Sequence, residues 1–314
     1  MRLVYWNSRV FGFDSSGARA WDVSGDAPEL VARCDYENNW SDARDFDVGG
    51  ACSQVFGEDR EHIAVGIPTT QGKAEILVLD FDLEVVSKTT TVARIELWDL
   101  AISPNGKLGA GHLYGDGVVT WDMKDGATSR EFDGHISSAA AFSPDGRYIS
   151  ALDSGQGGGA FYLLDLHEHP EEDPRREFSH ALARQPLFDA SAHAAFSEDG
   201  SLLAFTSTAW GMNGVVVYDA ASMRELWSTK YEMLHPDEEL WDAQSVAFTP
   251  SGETLVVGLE QELLAFDAKT GAPRTSIDGY EDDVPPYFAL DVERRCVWTT
   301  REKTLASRDW PEDW

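Results

Sequence analysis

Three short motifs place an aromatic side chain beside an aspartate: Leu97-Trp98-Asp99, Leu187-Phe188-Asp189 and Leu240-Trp241-Asp242, with Phe46-Asp47 as a looser copy. That pairing suits a cationic segment. The ring supplies packing and a cation–π face, and the carboxylate supplies opposite charge. The competing reading is structural: the ring wedges between packed elements and the aspartate bonds to its own turn. The expected partner site is therefore Trp98, Asp99, Phe188, Asp189, Trp241 and Asp242.

Other chemistry-bearing residues carry less. His167-Glu168-His169 places two imidazoles two residues apart, but it runs into the acidic stretch Pro170-Glu171-Glu172-Asp173-Pro174 and reads as a solvated loop. Asp99, Asp189 and Asp242 are carboxylates, yet no loop has calcium-ligand spacing. Gly155-Gln156-Gly157-Gly158-Gly159 lacks the Lys-Ser/Thr of a phosphate loop, and a strand pattern rather than a helix follows it. Neither a nucleophile-elbow motif nor a zinc-protease motif is present. No metal and no cofactor is expected. A second reading keeps catalysis or small-molecule binding open, with His180, His193 and His235 in or near long connections.

Charge narrows the partners. The chain has 314 residues, with 55 acidic against 25 basic side chains and a formal charge of −30. A nucleic-acid partner is excluded as an expectation, because phosphates are neutralised by Lys and Arg. An anionic membrane surface is disfavoured for the same reason. A protein or peptide with a basic surface fits, and so does charge that serves solubility alone. Cys34, Cys52 and Cys296 are scattered, with no metal or disulfide spacing, and read as reduced thiols. The start of the chain has no leader-type apolar segment, so a soluble cytoplasmic protein is expected.

The elements that must position these residues repeat along the chain. An aspartate closing an apolar run recurs at Asp22, Asp80, Asp122, Asp165, Asp219, Asp267 and Asp309, at spacings of 58, 42, 43, 54, 48 and 42 residues. A tight-turn motif recurs in phase with it: Ser103-Pro104-Asn105-Gly106, Ser143-Pro144-Asp145-Gly146, Ser197-Glu198-Asp199-Gly200 and Thr249-Pro250-Ser251-Gly252. Gly57-Glu58-Asp59-Arg60 and Val292-Glu293-Arg294-Arg295 occupy the equivalent places in the second and last copies. Gly in fourth position suits a type I turn followed by a left-handed residue. Apolar runs such as Leu202–Thr206 and Thr254–Gly258 have the length of strands buried between sheets. No long amphipathic helix is expected, and Pro236–Leu240 fits one helical turn. Two markers in phase at this period are the signature of a β-propeller.

The repeats resemble those of WD40 proteins. Gly134-His135 matches that family's Gly-His dipeptide, and Trp21-Asp22 and Trp121-Asp122 match its Trp-Asp ending. In the other copies Leu79, Leu164, Tyr218, Phe266 and Arg308 replace the tryptophan. The resemblance implies an all-β chain, one seven-bladed β-propeller over residues 1–314 with four-stranded antiparallel blades, serving as a non-enzymatic protein-interaction scaffold. Two closures of the ring are compatible with the sequence. Leu3–Trp6 is either the first copy's own inner strand or the outer strand that the last copy lacks. The second is expected, because it follows the family's habit and removes a sheet edge. The long insertions, Tyr36–Asp47, His167–Ala192 and Tyr231–Asp242, fall between an outer strand and the next inner strand, at the mouth of the expected channel. Each aromatic-aspartate motif is expected just before an inner strand.

Overall fold

The computed structural model describes residues 2–6, 8–14, 17–25, 27–35, 53–56, 62–68, 73–93, 95–113, 117–132, 136–137, 141–153, 160–166, 175–177, 192–207, 214–231, 245–259, 262–278, 288–291, 293–301 and 304–314. Regular structure among them is almost wholly β. The first sheet holds β1 (Arg2–Trp6), β2 (Arg9–Asp14), β3 (Gly17–Asp22) and β4 (Glu29–Asp35). The second holds β5 (Ser53–Phe56), β6 (His62–Pro68), β7 (Ala74–Leu79) and β8 (Val85–Thr90). The third holds β9 (Ile95–Ile102), β10 (Leu108–Leu113), β11 (Val118–Asp122) and β12 (Thr128–Phe132). The fourth holds β13 (Ile136–Ser137), β14 (Tyr148–Asp153), β15 (Ala160–Asp165) and β16 (Arg175–Glu177). The fifth holds β17 (Ala192–Phe196), β18 (Leu202–Ser207), β19 (Gly214–Asp219) and β20 (Arg224–Lys230). The sixth holds β21 (Ser245–Phe248), β22 (Thr254–Gly258), β23 (Glu262–Asp267) and β24 (Ile277–Asp278). The last, of three strands, holds β25 (Ala289–Asp291), β26 (Cys296–Arg301) and β27 (Thr304–Asp309). Each sheet is an antiparallel meander in chain order.

The chain divides into two compact units: Met1–Asp133 with Tyr287–Asp309, and Gly134–Pro286 with Trp310–Trp314. Within each, successive sheets pack face to face. In the first unit Phe11, Phe13 and Ala20 meet Ile63, Val65 and Leu79 of the second sheet. Ala64, Ile76 and Val78 on that sheet's other face meet Leu100, Val119 and Trp121 of the third. Leu3, Val10 and Trp21 meet Ala289, Trp298 and Leu305 of the last sheet. In the second unit Val216 and Tyr218 share a core with Leu163, whereas Val215 and Val217 share one with Leu255, Val257 and Phe266. Alternate residues of one strand thus enter two different cores. This is why the strands are continuous apolar runs rather than alternating ones. Each fully buried Val, Leu or Phe contributes about 1.5–3 kcal/mol. Inner strands of neighbouring sheets lie side by side, β25–β1–β5–β9 in the first unit and β17–β21 in the second.

Both repeated markers have a physical task. In the inner-strand turns, the hydroxyls of Ser103, Ser143, Ser197 and Thr249 accept the backbone N–H five residues on, at 2.9, 2.9, 2.9 and 3.2 Å. Gly106, Gly146, Gly200 and Gly252 are left-handed there, with φ of 68–71°. The recurring aspartate caps the hairpin into the outer strand. Asp22, Asp122, Asp219 and Asp267 accept the N–H of Ser24, Lys124, Ser222 and Thr270 at 2.7–2.9 Å. Asp80 accepts from both Asp82 and Glu84 at 2.9 Å. The carbonyl of the residue after that aspartate receives a side chain from the preceding sheet: Arg9 Nη1 to Phe81 O at 2.6 Å, Thr89 Oγ1 to Met123 O at 2.7 Å, and Trp227 Nε1 to Ala268 O at 2.8 Å.

Two expectations are corrected. Leu3–Trp6 does not complete the last sheet. It lies in β1, paired with β2 from Arg2↔Phe13 to Trp6↔Arg9. Only Asn7 and Ser8 separate the paired ends, and Ser8 is left-handed at φ 60°. A two-residue connection forces a hairpin and holds β1 in the first sheet. Second, Leu97-Trp98-Asp99 lies inside an inner strand rather than before it. In the last sheet, Arg295 supplies the left-handed turn residue at φ 51° where other copies have Gly, and Asp291 accepts the Arg294 N–H at 3.0 Å. Gly57–Arg60 and Pro236–Leu240 lie outside the described residues.

Candidate functional site

Of the three Leu-aromatic-Asp motifs, the one among the described residues lies in β9. Its pairing with β10 is regular through Gly111↔Leu100, then resumes at His112↔Glu96. Leu97, Trp98 and Asp99 therefore form a three-residue bulge. A bulge bends the strand, breaks the ladder locally and re-aims side chains, and bulges concentrate at rims and sites. The strand runs from this bulge towards the 103–106 turn, so the two lie at opposite halves of β9. His112, half-buried and in register with Glu96, stands beside the bulge on the neighbouring strand. Reading the sequence missed it, because only the strand register brings it there.

Phe188, Asp189, Trp241 and Asp242 lie outside the described residues. The strands they precede, β17 and β21, are inner strands of adjacent sheets in the second unit. His167–His169, His180, His235 and Gly155–Gly159 also lie outside the described residues, as do Gly134-His135 and Cys52. His193 is half-buried in β17, in register with Thr206.

Polar groups buried within the sheets serve structure. Asp165 has no exposed side-chain surface and receives Arg147 through Nε at 3.0 Å and Nη2 at 2.6 Å, while the guanidinium lies 4.8 Å from the Tyr148 ring centre. Asp291 is fully buried and accepts the Trp298 indole N–H at 3.2 Å. Burial and that carboxylate push the Tyr5 phenol up to about 12. Burial and the same carboxylate raise the Cys296 thiol to about 11. A thiol held that high stays protonated and is a poor nucleophile at neutral pH. Burial alone raises the Tyr231 phenol. Among the described residues, no cluster of His, Cys, Asp or Glu could hold a metal ion.

A cleft of about 490 Å³ opens in the first unit at the end of the second and third sheets that carries the 103–106 turn. Val78, Val86 and Met123 form its apolar lining, and His62, Lys107 and Lys124 its polar lining. No helix among the described residues is long and apolar enough to cross a membrane.

No family model matches the chain, and no curated protein matches it. Solved structures do. The β-propeller domain of Cps50 (Swd1) from Myceliophteria thermophila superimposes with a TM-score of 0.69 at 12% identity, over 97% of this chain and 94% of that one. A chain of a mitotic checkpoint complex gives a TM-score of 0.67 at 14% identity, over 99% of this chain and 89% of that one. Identities this low speak to fold alone. Nearly whole-chain similarity, sheets built as four-stranded meanders and hairpins capped by a recurring aspartate give one conclusion: the chain has a WD40-like β-propeller fold.

Proposed function

We propose that this chain is a non-enzymatic protein-interaction scaffold, a single seven-bladed propeller over residues 1–314 acting in the cytoplasm. It binds a basic or peptide-like segment at an acidic, aromatic channel mouth formed by Trp98, Asp99, Phe188, Asp189, Trp241 and Asp242. The observation that carries the reading is the bulge at Leu97–Asp99 in β9. The three-residue interruption at this motif is longer than the one-residue register shifts of the outer strands, and a bulge re-aims side chains at rims and sites. The formal charge of −30 fits a cationic partner, which such a field attracts and orients. Propeller neighbours, one of them a chain of a multi-protein complex, support a scaffold role in general.

The test is fluorescence anisotropy with a labelled Arg/Lys-rich peptide against the full chain and the triple variant Trp98→Ala, Trp241→Ala, Asp242→Ala. At least tenfold weaker binding by the variant is expected. Undiminished binding rejects the site.

A further inference from the structure

We infer that the cleft between the second and third sheets is a ligand site, which takes a small aromatic carboxylate. The site lies within the first unit, goes beyond the channel-mouth reading and does not rest on it.

The inference starts from how equivalent junctions between sheets are filled. Trp227 pairs with Val217 just past the register shift of β20. Its indole crosses to the sixth sheet and donates to the carbonyl of the residue after the closing aspartate, Ala268, at 2.8 Å. The ring lies 5.4 Å from that of Phe266. Between the first and second sheets, Ala32 stands at the outer-strand position of Trp227. There the guanidinium of Arg9 makes the crossing instead, to Phe81 O at 2.6 Å and Asp82 Oδ1 at 3.0 Å.

Between the second and third sheets, neither an indole nor a guanidinium stands at these positions. Ser87, paired with Val78, holds the place of Trp227, and His62 begins β6 as Arg9 begins β2. The equivalent carbonyl, Met123 O, accepts instead from Thr89 Oγ1 at 2.7 Å, two residues further along β8. A short hydroxyl side chain thus satisfies the backbone without filling the junction. What remains is the cleft of about 490 Å³, with Ser87 in its lining. Pockets that hold small molecules run from roughly 300 to 1,000 Å³.

The lining selects the ligand. Val78, Val86 and Met123 supply apolar surface, and Val86, the extra residue of its bulge, is 54% exposed. A ring laid there would remove that surface from water. Lys107 and Lys124 line the same cleft, and among the described residues neither ammonium group has an ion-pair partner. The acid in the described lining, Asp122, caps its own hairpin by accepting the Lys124 N–H at 2.7 Å. The sixth sheet has Glu253 in the place of Lys107, each following the left-handed Gly of its turn. Two ammonium groups beside an apolar wall suit a carboxylate carried on a ring. The chain's charge of −30 repels an acidic macromolecule, whereas a single carboxylate is held by the charges nearest to it.

NMR on the full chain, methyl-labelled at methionine, tests this with indole-3-acetate as the probe. Met123→Leu assigns the Met123 signal, which should shift saturably as the probe is added. Ser87→Trp places in the cleft the indole that Trp227 supplies at the other junction, and it should abolish the shift. Lys107→Glu with Lys124→Gln changes exposed positions only, and should weaken binding at least tenfold in a chain that melts as the parent does. Tryptamine, the same ring with an ammonium group, and acetate, the charge without the ring, should each bind at least tenfold more weakly. The absence of a saturable Met123 shift at millimolar probe overturns the proposal. So does binding that survives the paired lysine changes, or tryptamine binding as tightly as indole-3-acetate. A Glu-Trp-Glu peptide that binds at least tenfold more tightly than indole-3-acetate assigns the cleft to an acidic segment of a partner protein and rejects the small molecule.

Discussion

The indole N–H of Trp227 on β20 donates to the carbonyl of Ala268 at 2.8 Å, and its ring lies 5.4 Å from that of Phe266. One outer-strand side chain thereby clamps the fifth sheet to the aspartate-capped hairpin of the sixth. Gly271 closes that hairpin at φ 70°, and a Cβ there would sit 2.5 Å from Trp227 Cδ2. Trp227→Phe should cost about 1 kcal/mol, the net value of the lost hydrogen bond. Gly271→Ala should cost about 2–4 kcal/mol, from left-handed backbone strain plus overpacking. In a Trp227→Ala background only the backbone part remains, about 1–2 kcal/mol. Urea denaturation of the parent, Trp227→Phe, Gly271→Ala, Trp227→Ala and the Trp227→Ala/Gly271→Ala double variant checks the coupling, and strictly additive costs for Trp227→Ala and Gly271→Ala would contradict the clamp.

In the third sheet, Trp121 lies flat over its cross-strand partner Gly109. A Cβ on Gly109 would come within 2.3 Å of Trp121 Cε2. The second sheet has Leu79 at the position of Trp121 and needs no such glycine. Gly109→Ala should therefore destabilise by about 1–3 kcal/mol, the usual cost of overpacking. Combined with Trp121→Leu, the same alanine should cost less than half as much. Thermal melts of the double-mutant cycle decide it: an alanine penalty independent of residue 121 would show that the indole is not what excludes a side chain.

Turn carboxylates make an acid-sensitive contribution. Asp199 accepts from the Ser197 hydroxyl at 2.7 Å and from the Ser201 N–H at 2.9 Å, and these bonds lower its pKa from 3.8 to about 2. A depressed folded-state pKa stabilises the fold at pH values above the unfolded-state value, and that stabilisation is lost as pH falls towards the folded value. Asp199→Asn should thus be less stable than the parent at pH 6, with the difference shrinking between about pH 5 and pH 2. Solvent exposure keeps the effect small. Matched melts across that range measure it, and a gap that widens on acidification would refute the assignment.

How far the chain could be read in advance depended on the range of the interactions. The tight turns and closing aspartates were visible, because both are local devices: a hydroxyl or carboxylate bonding backbone two to five residues away. The sheets followed from them. Closure was misjudged because it turns on a competition that periodicity does not encode, between a hairpin at Asn7-Ser8 and a pairing with a strand some 300 residues later. The bulge at Leu97–Asp99 was hidden for a related reason. Nothing in Leu-Trp-Asp distinguishes a residue before a strand from one looped out of it. The register with β10 decides that. The last copy's turn at Val292–Arg295 was placed by its position alone, and Arg295 takes there the left-handed conformation that Gly takes in other copies.

The buried cluster around Asp291 yields a prediction at the alkaline end. Cys296 is 5% exposed, and burial beside Asp291 raises its thiol from 9.0 to about 11. Desolvation disfavours the thiolate, and a fixed negative charge disfavours it further. A raised folded-state pKa means that the folded chain holds this proton more tightly than the unfolded chain. Its stabilisation is complete below about pH 9 and is lost as pH rises towards 11. Tyr5, raised from 10.0 to about 12 by burial and the same carboxylate, acts in the same direction slightly higher. Cys296→Ala removes the thiol's share, so the variant should lose stability more gently between pH 9 and pH 11 than the parent. At pH 8, Ellman's reagent should label Cys296 only at the rate of unfolding, whereas half-buried Cys34 should react sooner. Rapid labelling of Cys296 in the native chain, or parallel stability slopes for parent and variant, would show that this thiol is not sealed against the Asp291 carboxylate.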